Sequence, residues 1–183
     1  HTGAAPDGVE PIMDIVRTTD IPIYHFRPTH MGRRLDQVVE FTRMGGYADI
    51  TVKEDTASTF HQLLAEADAD RITLSSDSNG SMPRWDAKRQ HIVGMGVGQI
   101  GDLYRTVRKM AAEEGIPLET ALPFVTRNVA ESLMLYPRKG AVAVGSDADL
   151  VLLDQDLEID CVIAKGRCMM LEKELLVKGT FES

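Results

Sequence analysis

At 183 residues the chain is long enough for one sizeable domain plus a small appendage, because a chain of this length buries roughly 70% of the surface its unfolded form exposes. Hydrophobic residues make up 43% and charged residues 26%, no apolar run approaches the roughly 18 residues of a membrane span, and no signal-peptide pattern opens the chain; nothing here points to secretion or a membrane, and the expectation is an acidic, soluble, cytoplasmic protein. The net charge of −8 argues against nucleic acid as a partner, since phosphate-backbone binding needs a basic face.

The first residue is His1, followed by a turn-like Thr2-Gly3-Ala4-Ala5-Pro6-Asp7-Gly8, which reads as a start in mid-protein. Val9, Ile12, Ile15 and Val16 then fall on one helix face, with Asp7 as N-cap and Pro11 in the first turn. Ile21 to Phe26 has strand character and closes at Arg27-Pro28-Thr29-His30, which would leave His30 just past a strand end. Leu35, Val38, Val39 and Met44 give a second helical stripe stopped by Gly45-Gly46. Ala48 to Val52 is the next expected strand, and Asp55 to Ser58 caps a helix carrying Phe60, Leu63 and Leu64. Arg71 to Leu74 follows as a strand that ends at Asp77. Three strand-then-helix units in a row predict a parallel sheet with right-handed crossovers.

Residues 78 to 97 read as one long connection, the length expected of a lid or a binding loop; a lid from Ser78 to Gly98 would close on substrate, and plain disorder is the alternative. Within it Gly94-Met95-Gly96-Val97-Gly98 lacks the Lys-Ser/Thr of a phosphate loop and reads as a hinge. Two helices are expected next, Ile100 to Glu114 and Leu118 to Leu135, the second ended by Pro137. Beyond Gly140 short β runs split by glycines and charged turns predict a small β module, so the expected division is 1–139 and 140–183. Cys161 and Cys168, seven apart in an apolar segment, read as two buried thiols.

An acid at the C-terminal mouth of a buried strand stands where (β/α) barrels carry catalytic carboxylates. Asp77 holds that position in Leu74-Ser75-Ser76-Asp77-Ser78-Asn79-Gly80-Ser81, and His30 holds a comparable one. Histidine nitrogens and a carboxylate can converge there on a zinc ion that keeps one position open for water. By spacing alone, His30 is either a ligand or a loop histidine, and Asp77 either a site carboxylate or a turn-former in Asp-Ser-Asn-Gly. His25 reads as a satisfied core or interhelix histidine within its strand, His61 as a residue on a helix face with polar neighbours and His91 as part of the lid. No Gly-x-Ser-x-Gly elbow supports a serine nucleophile. Arg33, three residues after His30, could bring a guanidinium fork to an anionic substrate.

The run Leu74 to Ser81, the segment Arg27-Pro28-Thr29-His30-Met31-Gly32-Arg33, and the tail Lys139-Gly140 with Gly145-Ser146-Asp147-Ala148-Asp149-Leu150 resemble the isoaspartyl dipeptidase family of the amidohydrolase superfamily, as does the ending Val177-Lys178-Gly179-Thr180-Phe181-Glu182. The likeness runs over essentially the whole chain but corresponds to the C-terminal half of that family's. It implies an α/β fold, the C-terminal half of a (β/α)8 TIM-type metal-hydrolase barrel plus a small β module. It also implies a binuclear zinc centre whose hydroxide hydrolyses the side-chain amide of a β-aspartyl dipeptide. Carried over by position, His1 and His30 resemble zinc ligands, Asp77 resembles the carboxylate that binds the other zinc and shuttles the proton, and Arg33 and Ser81 resemble the groups that hold the substrate's carboxylate.

The family also needs a His-x-His pair, a carboxylated lysine and an acid for the substrate's amino group, and this sequence has no His-x-His and no lysine at a matching place. The expectation is therefore part of a site. About four of eight barrel strands would leave two open sheet edges, which sheets normally cover or close, so an N-terminal half is the expected partner, either as the other piece of a nicked chain or as a region missing from this sequence, with a homo-oligomer beyond it and the chain inactive alone. Two other readings stand beside this one: a dihydroorotase-like hydrolase of a cyclic amide or imide, and a non-catalytic barrel remnant.

Overall fold

Alternation along two short strands organises the molecule. The computed structural model describes residue 1, residues 6–88 and residues 90–180; residues 2–5 of the opening turn, and Phe181 and Glu182 of the closing motif, lie outside them. Strand β1 (Ala48–Thr51) pairs in parallel with β2 (Ile72–Ser75), with Asp49 opposite Thr73 and Thr51 opposite Ser75. Side chains two apart share a face of a strand. Ala48, Ile50, Ile72 and Leu74 accordingly join one apolar core, and the other face carries Asp49, Thr51, Thr73 and Ser75.

The helices complete that core in the expected way. Helices α1 (Glu10–Thr18) and α2 (Leu35–Arg43) contribute Met13, Val38, Val39 and Phe41. Helix α3 (Thr56–Glu66) adds Ala57, Phe60 and Leu63, and α4 (Asp102–Ala112) adds Val107 and Met110. The Phe60 ring lies 4.8 Å from that of Phe124, tilted by 52°, within the centroid range of favourable aromatic pairs.

Polar groups inside this layer are held by neutral side chains. Gln37, only 5% exposed, accepts from the Val9 amide and donates to the Asp7 carbonyl, both at 2.9 Å. Gly8, at φ +57, makes that clamp fit, because a Cβ there would collide with Gln37 Oε1. Asn128, 1% exposed, donates to the carbonyls of Ala69 (2.9 Å) and Ile72 (2.8 Å) and so fixes the start of β2.

Several expectations are corrected. Residues 21–26 form no strand: Ile23–His25 is a 3-10 turn, because Pro22 and Pro28 have no N–H to give a ladder. His25 is thereby exposed and stacked on Tyr24, with ring centroids 4.5 Å apart, and is not a core histidine. The stretch 78–97 is a hairpin, β3 (Ser81–Trp85) antiparallel to β4 (Ile92–Val97), with Ser81 opposite Val97. Of the alternating glycines that read as a hinge, Gly94 and Gly96 lie within β4 and Gly98 follows it. The helix expected over 118–135 breaks into α5 (Leu118–Ala121), a 3-10 turn (Leu122–Val125) and α6 (Arg127–Ser132); Pro123 lacks the N–H that a continuous helix needs. Among the described residues the parallel sheet comprises β1 and β2 alone, and a separate, isolated parallel bridge joins Ser78 to Gly98.

Beyond Gly140 the first strand is β5 (Leu150–Leu153), and Val142 and Val144 are exposed outside any strand. It joins β6 (Ile159–Ala164), β7 (Arg167–Leu171) and β8 (Glu174–Leu175) in an antiparallel sheet. Lys139 pairs with Asp147 at 2.9 Å and also with Asp149, whose other carboxylate oxygen accepts from the Lys165 amide at 2.6 Å. The tail motif is thus a structural joint. Cys161 is buried and Cys168 half-buried, both as free thiols, and burial first, then the hydrogen bond to Cys168, pushes the Cys161 thiol up from its usual value. The Tyr104 hydroxyl donates to the Leu157 carbonyl at 2.7 Å, and Arg108 pairs with Glu158 at 2.5 Å.

Candidate metal-hydrolase site

Pro28 to His30 runs beside β1, with the Asp49 amide donating to the Pro28 carbonyl at 3.0 Å. At His30 the backbone turns left-handed (φ 64, ψ 25) before the 3-10 turn Met31–Arg33. Such a conformation is uncommon for a non-glycine residue and concentrates at functional sites. Buried Met31 pins the turn from beneath. The imidazole is therefore held at both ends: Nδ1 shares a hydrogen bond with Thr51 Oγ1 at 2.7 Å, and Nε2 lies 3.0 Å from His1 Nδ1. The two histidine rings are 5.1 Å apart at 44°.

Asp77 also has a left-handed backbone (φ 49), as does Asn79 (φ 63). Two glycines allow this turn. A Cβ at Gly80 would stand 2.8 Å from Asp77 Oδ1, and one at Gly98 would stand 2.6 Å from the Asp77 carbonyl oxygen. Arg33 is exposed in the turn after His30, and Ser81 is exposed at the start of β3.

The structure thus brings His1 and His30 together, and places Asp77 in the turn after β2, Arg33 in the 3-10 turn after His30 and Ser81 at the start of β3. Among the described residues no group of three or more His, Cys, Asp or Glu side chains is arranged to hold a metal ion. Zinc takes nitrogen and oxygen donors and wants four ligands. Two facing imidazole nitrogens from separate segments fit that ion in kind and fall short of it in number.

One residue absent from the sequence-based candidates stands at the centre of the polar face. Asp49 accepts from the hydroxyls of Thr29 (2.5 Å), Ser75 (2.7 Å) and Thr73 (2.9 Å). Polar residues at alternate positions of two adjacent strands otherwise built from buried apolar ones were the available signal, since parallel strands are usually apolar on both faces.

The model of the amidohydrolase family matches residues 12–169. The chain belongs to the amidohydrolase family. Over 98% of its length it is 35% identical to the β-aspartyl dipeptidase of Fervidobacterium islandicum, in a structure holding β-Asp-Leu dipeptide, with a TM-score of 0.89 and 49% of that chain covered. A second structure of that enzyme gives 32% identity over 97% of this chain and 46% of that one, with a TM-score of 0.81. N-acetylglucosamine-6-phosphate deacetylase of Bacillus subtilis is 41% identical over 49 residues, 27% of this chain and 12% of the deacetylase. The amidohydrolase chain described here spans about half the length of the dipeptidase, and no helix among its described residues is long and apolar enough to cross a membrane.

Proposed function

We propose that this chain supplies part of a zinc-dependent site that hydrolyses β-aspartyl dipeptides, residues 1–139 being the C-terminal part of a (β/α)8 barrel and 140–183 a small β segment. The observation that carries the reading is the pairing of His1 Nδ1 with His30 Nε2 at 3.0 Å on a scaffold similar in fold to a dipeptidase that holds β-Asp-Leu. His1 and His30 would hold one metal and Asp77 the other. A bound zinc supplies a Lewis acid and lowers the pKa of water toward 7. Asp77 carries the proton toward the leaving amine, and Arg33 and Ser81 orient the substrate's carboxylate, the guanidinium through a bidentate fork. The remaining ligands come from a partner barrel half.

Hydrolysis of β-Asp-Leu decides this reading, assayed with zinc on the chain alone and on the chain joined to the portion of the F. islandicum dipeptidase that it does not span. Activity is expected in the joined protein only, with Asp77→Asn lowering kcat by about 10²–10⁴-fold and Arg33→Ala raising KM. The rival, a non-catalytic remnant, draws on the absence of a third ligand beside the two histidines among the described residues. A joined protein that folds and binds zinc but leaves the dipeptide intact would establish it.

A further inference from the structure

We infer that Asp49 is a positioning residue that sets the tautomer of His30 through Ser75 and Thr51. The assignment follows from counting protons. A carboxylate only accepts hydrogen bonds, so the Ser75 hydroxyl, 2.7 Å from Asp49 Oδ2, spends its single proton there. Ser75 Oγ is then an acceptor toward Thr51 Oγ1, 3.4 Å away, the longest step of the chain. With the Thr51 proton directed to Ser75, Thr51 Oγ1 accepts at its 2.7 Å contact with His30 Nδ1. In that arrangement His30 carries its proton on Nδ1 and presents a bare Nε2 lone pair toward His1 Nδ1, which then donates. Which ring nitrogen is available is set by the bond the other one makes, and ligand histidines are commonly oriented from behind in this way.

Asp49 acts on the same residue a second way. It accepts from Thr29, the neighbour of His30, and so holds the backbone where it turns left-handed. Thr73 donates to the other carboxylate oxygen at 2.9 Å and stands outside the relay. The consequence for metal binding rests on the function proposed above; the tautomer itself does not.

The test is metal-free. Long-range ¹⁵N–¹H spectra of the histidine-labelled chain, with His30 assigned through His30→Gln, show which ring nitrogen is bare. The expected parent spectrum has Nε2 bare. Asp49→Leu, which removes both acceptor oxygens, and Thr51→Val should each lose that signature, and Thr73→Val, which removes a hydroxyl from the same carboxylate, should keep it; Thr51→Ser should restore it. A proton on Nε2 in the parent, or an unchanged tautomer in Asp49→Leu, overturns the inference. If Asp49→Leu fails to fold, Thr51→Val against Thr51→Ser decides the matter, an unchanged tautomer in Thr51→Val overturning it. A relay that passes in a protein that never hydrolyses a β-aspartyl bond would sink the proposed function and leave the positioning role intact.

Discussion

The β1–β2 layer and the β5–β8 sheet satisfy their polar groups by opposite means. Around β1 and β2 the work falls to buried or half-buried neutral side chains: Gln37 for the opening turn, Asn128 for the start of β2, and three hydroxyls for the Asp49 carboxylate. In the later region it falls to ions that stay partly open to water, Lys139 with Asp147 and Asp149, and Lys173 with Asp154 at 2.7 Å. Buried neutral hydrogen bonds are indifferent to salt and intolerant of substitution, because a partner left behind is stranded from water. Exposed ion pairs are weak, screened and replaceable. The first region should therefore fail by mutation and the second by solvent.

The sharpest way to break that contrast is Asn128→Asp. It replaces the amide donor to two buried carbonyls with a carboxylate in a site 1% exposed, and should cost about 3 kcal/mol or more. Urea denaturation would read it, and added salt should not recover the loss. Gln37→Ala strands the buried Val9 amide and the Asp7 carbonyl and is expected to cost about 1–2 kcal/mol in the same titration. A loss under about 0.5 kcal/mol at both positions would remove the distinction between the regions.

The solvent arm is smaller. The Lys139 hydrogen bond, then the Lys165 amide, holds Asp149 below its ordinary carboxylate value, and Lys173, then the Glu158 amide, does the same for Asp154. A depressed folded pKa means that the contribution is complete above the unfolded value of about 3.9 and disappears as pH falls through the lower folded one. Amide hydrogen exchange of β5–β8 should therefore lose protection first on acidification below about pH 4. The loss should shrink in 1 M salt (~3 Å Debye length) and in Asp154→Asn. Equal acid sensitivity in β1–β2 would contradict the division.

Much of the fold was legible because pattern and structure agree. Alternation in Ala48-Asp49-Ile50-Thr51 marks a strand, and the stripes through Phe60 and Val107 mark core helices. The hairpin at 81–97 was hidden because Pro83 and the β4 glycines imitate loop chemistry while backbone pairing, which no composition reports, makes the strand. Residues 21–26 failed the other way: apolar content imitated a strand that prolines forbid. At the site, His30 and Asp77 stood out through their neighbours in sequence. Asp49 did not, because its partners Thr29, Thr73 and Ser75 lie 20 to 26 residues away and meet it only when two strands pair.

The seat of Gly98 against Asp77 has a mechanical result. The Gly98 carbonyl accepts from the Asn79 amide at 3.1 Å, its own amide donates to Gly80 at 3.3 Å, and no side chain fits between residue 98 and the Asp77 carbonyl. The end of β4 and the aspartate turn are geared together. A hairpin that rocks as a unit would drag the Asp77 backbone with it, so a force applied at the exposed edge of β4, 20 residues along the chain from the acid, is delivered to that carboxylate as displacement.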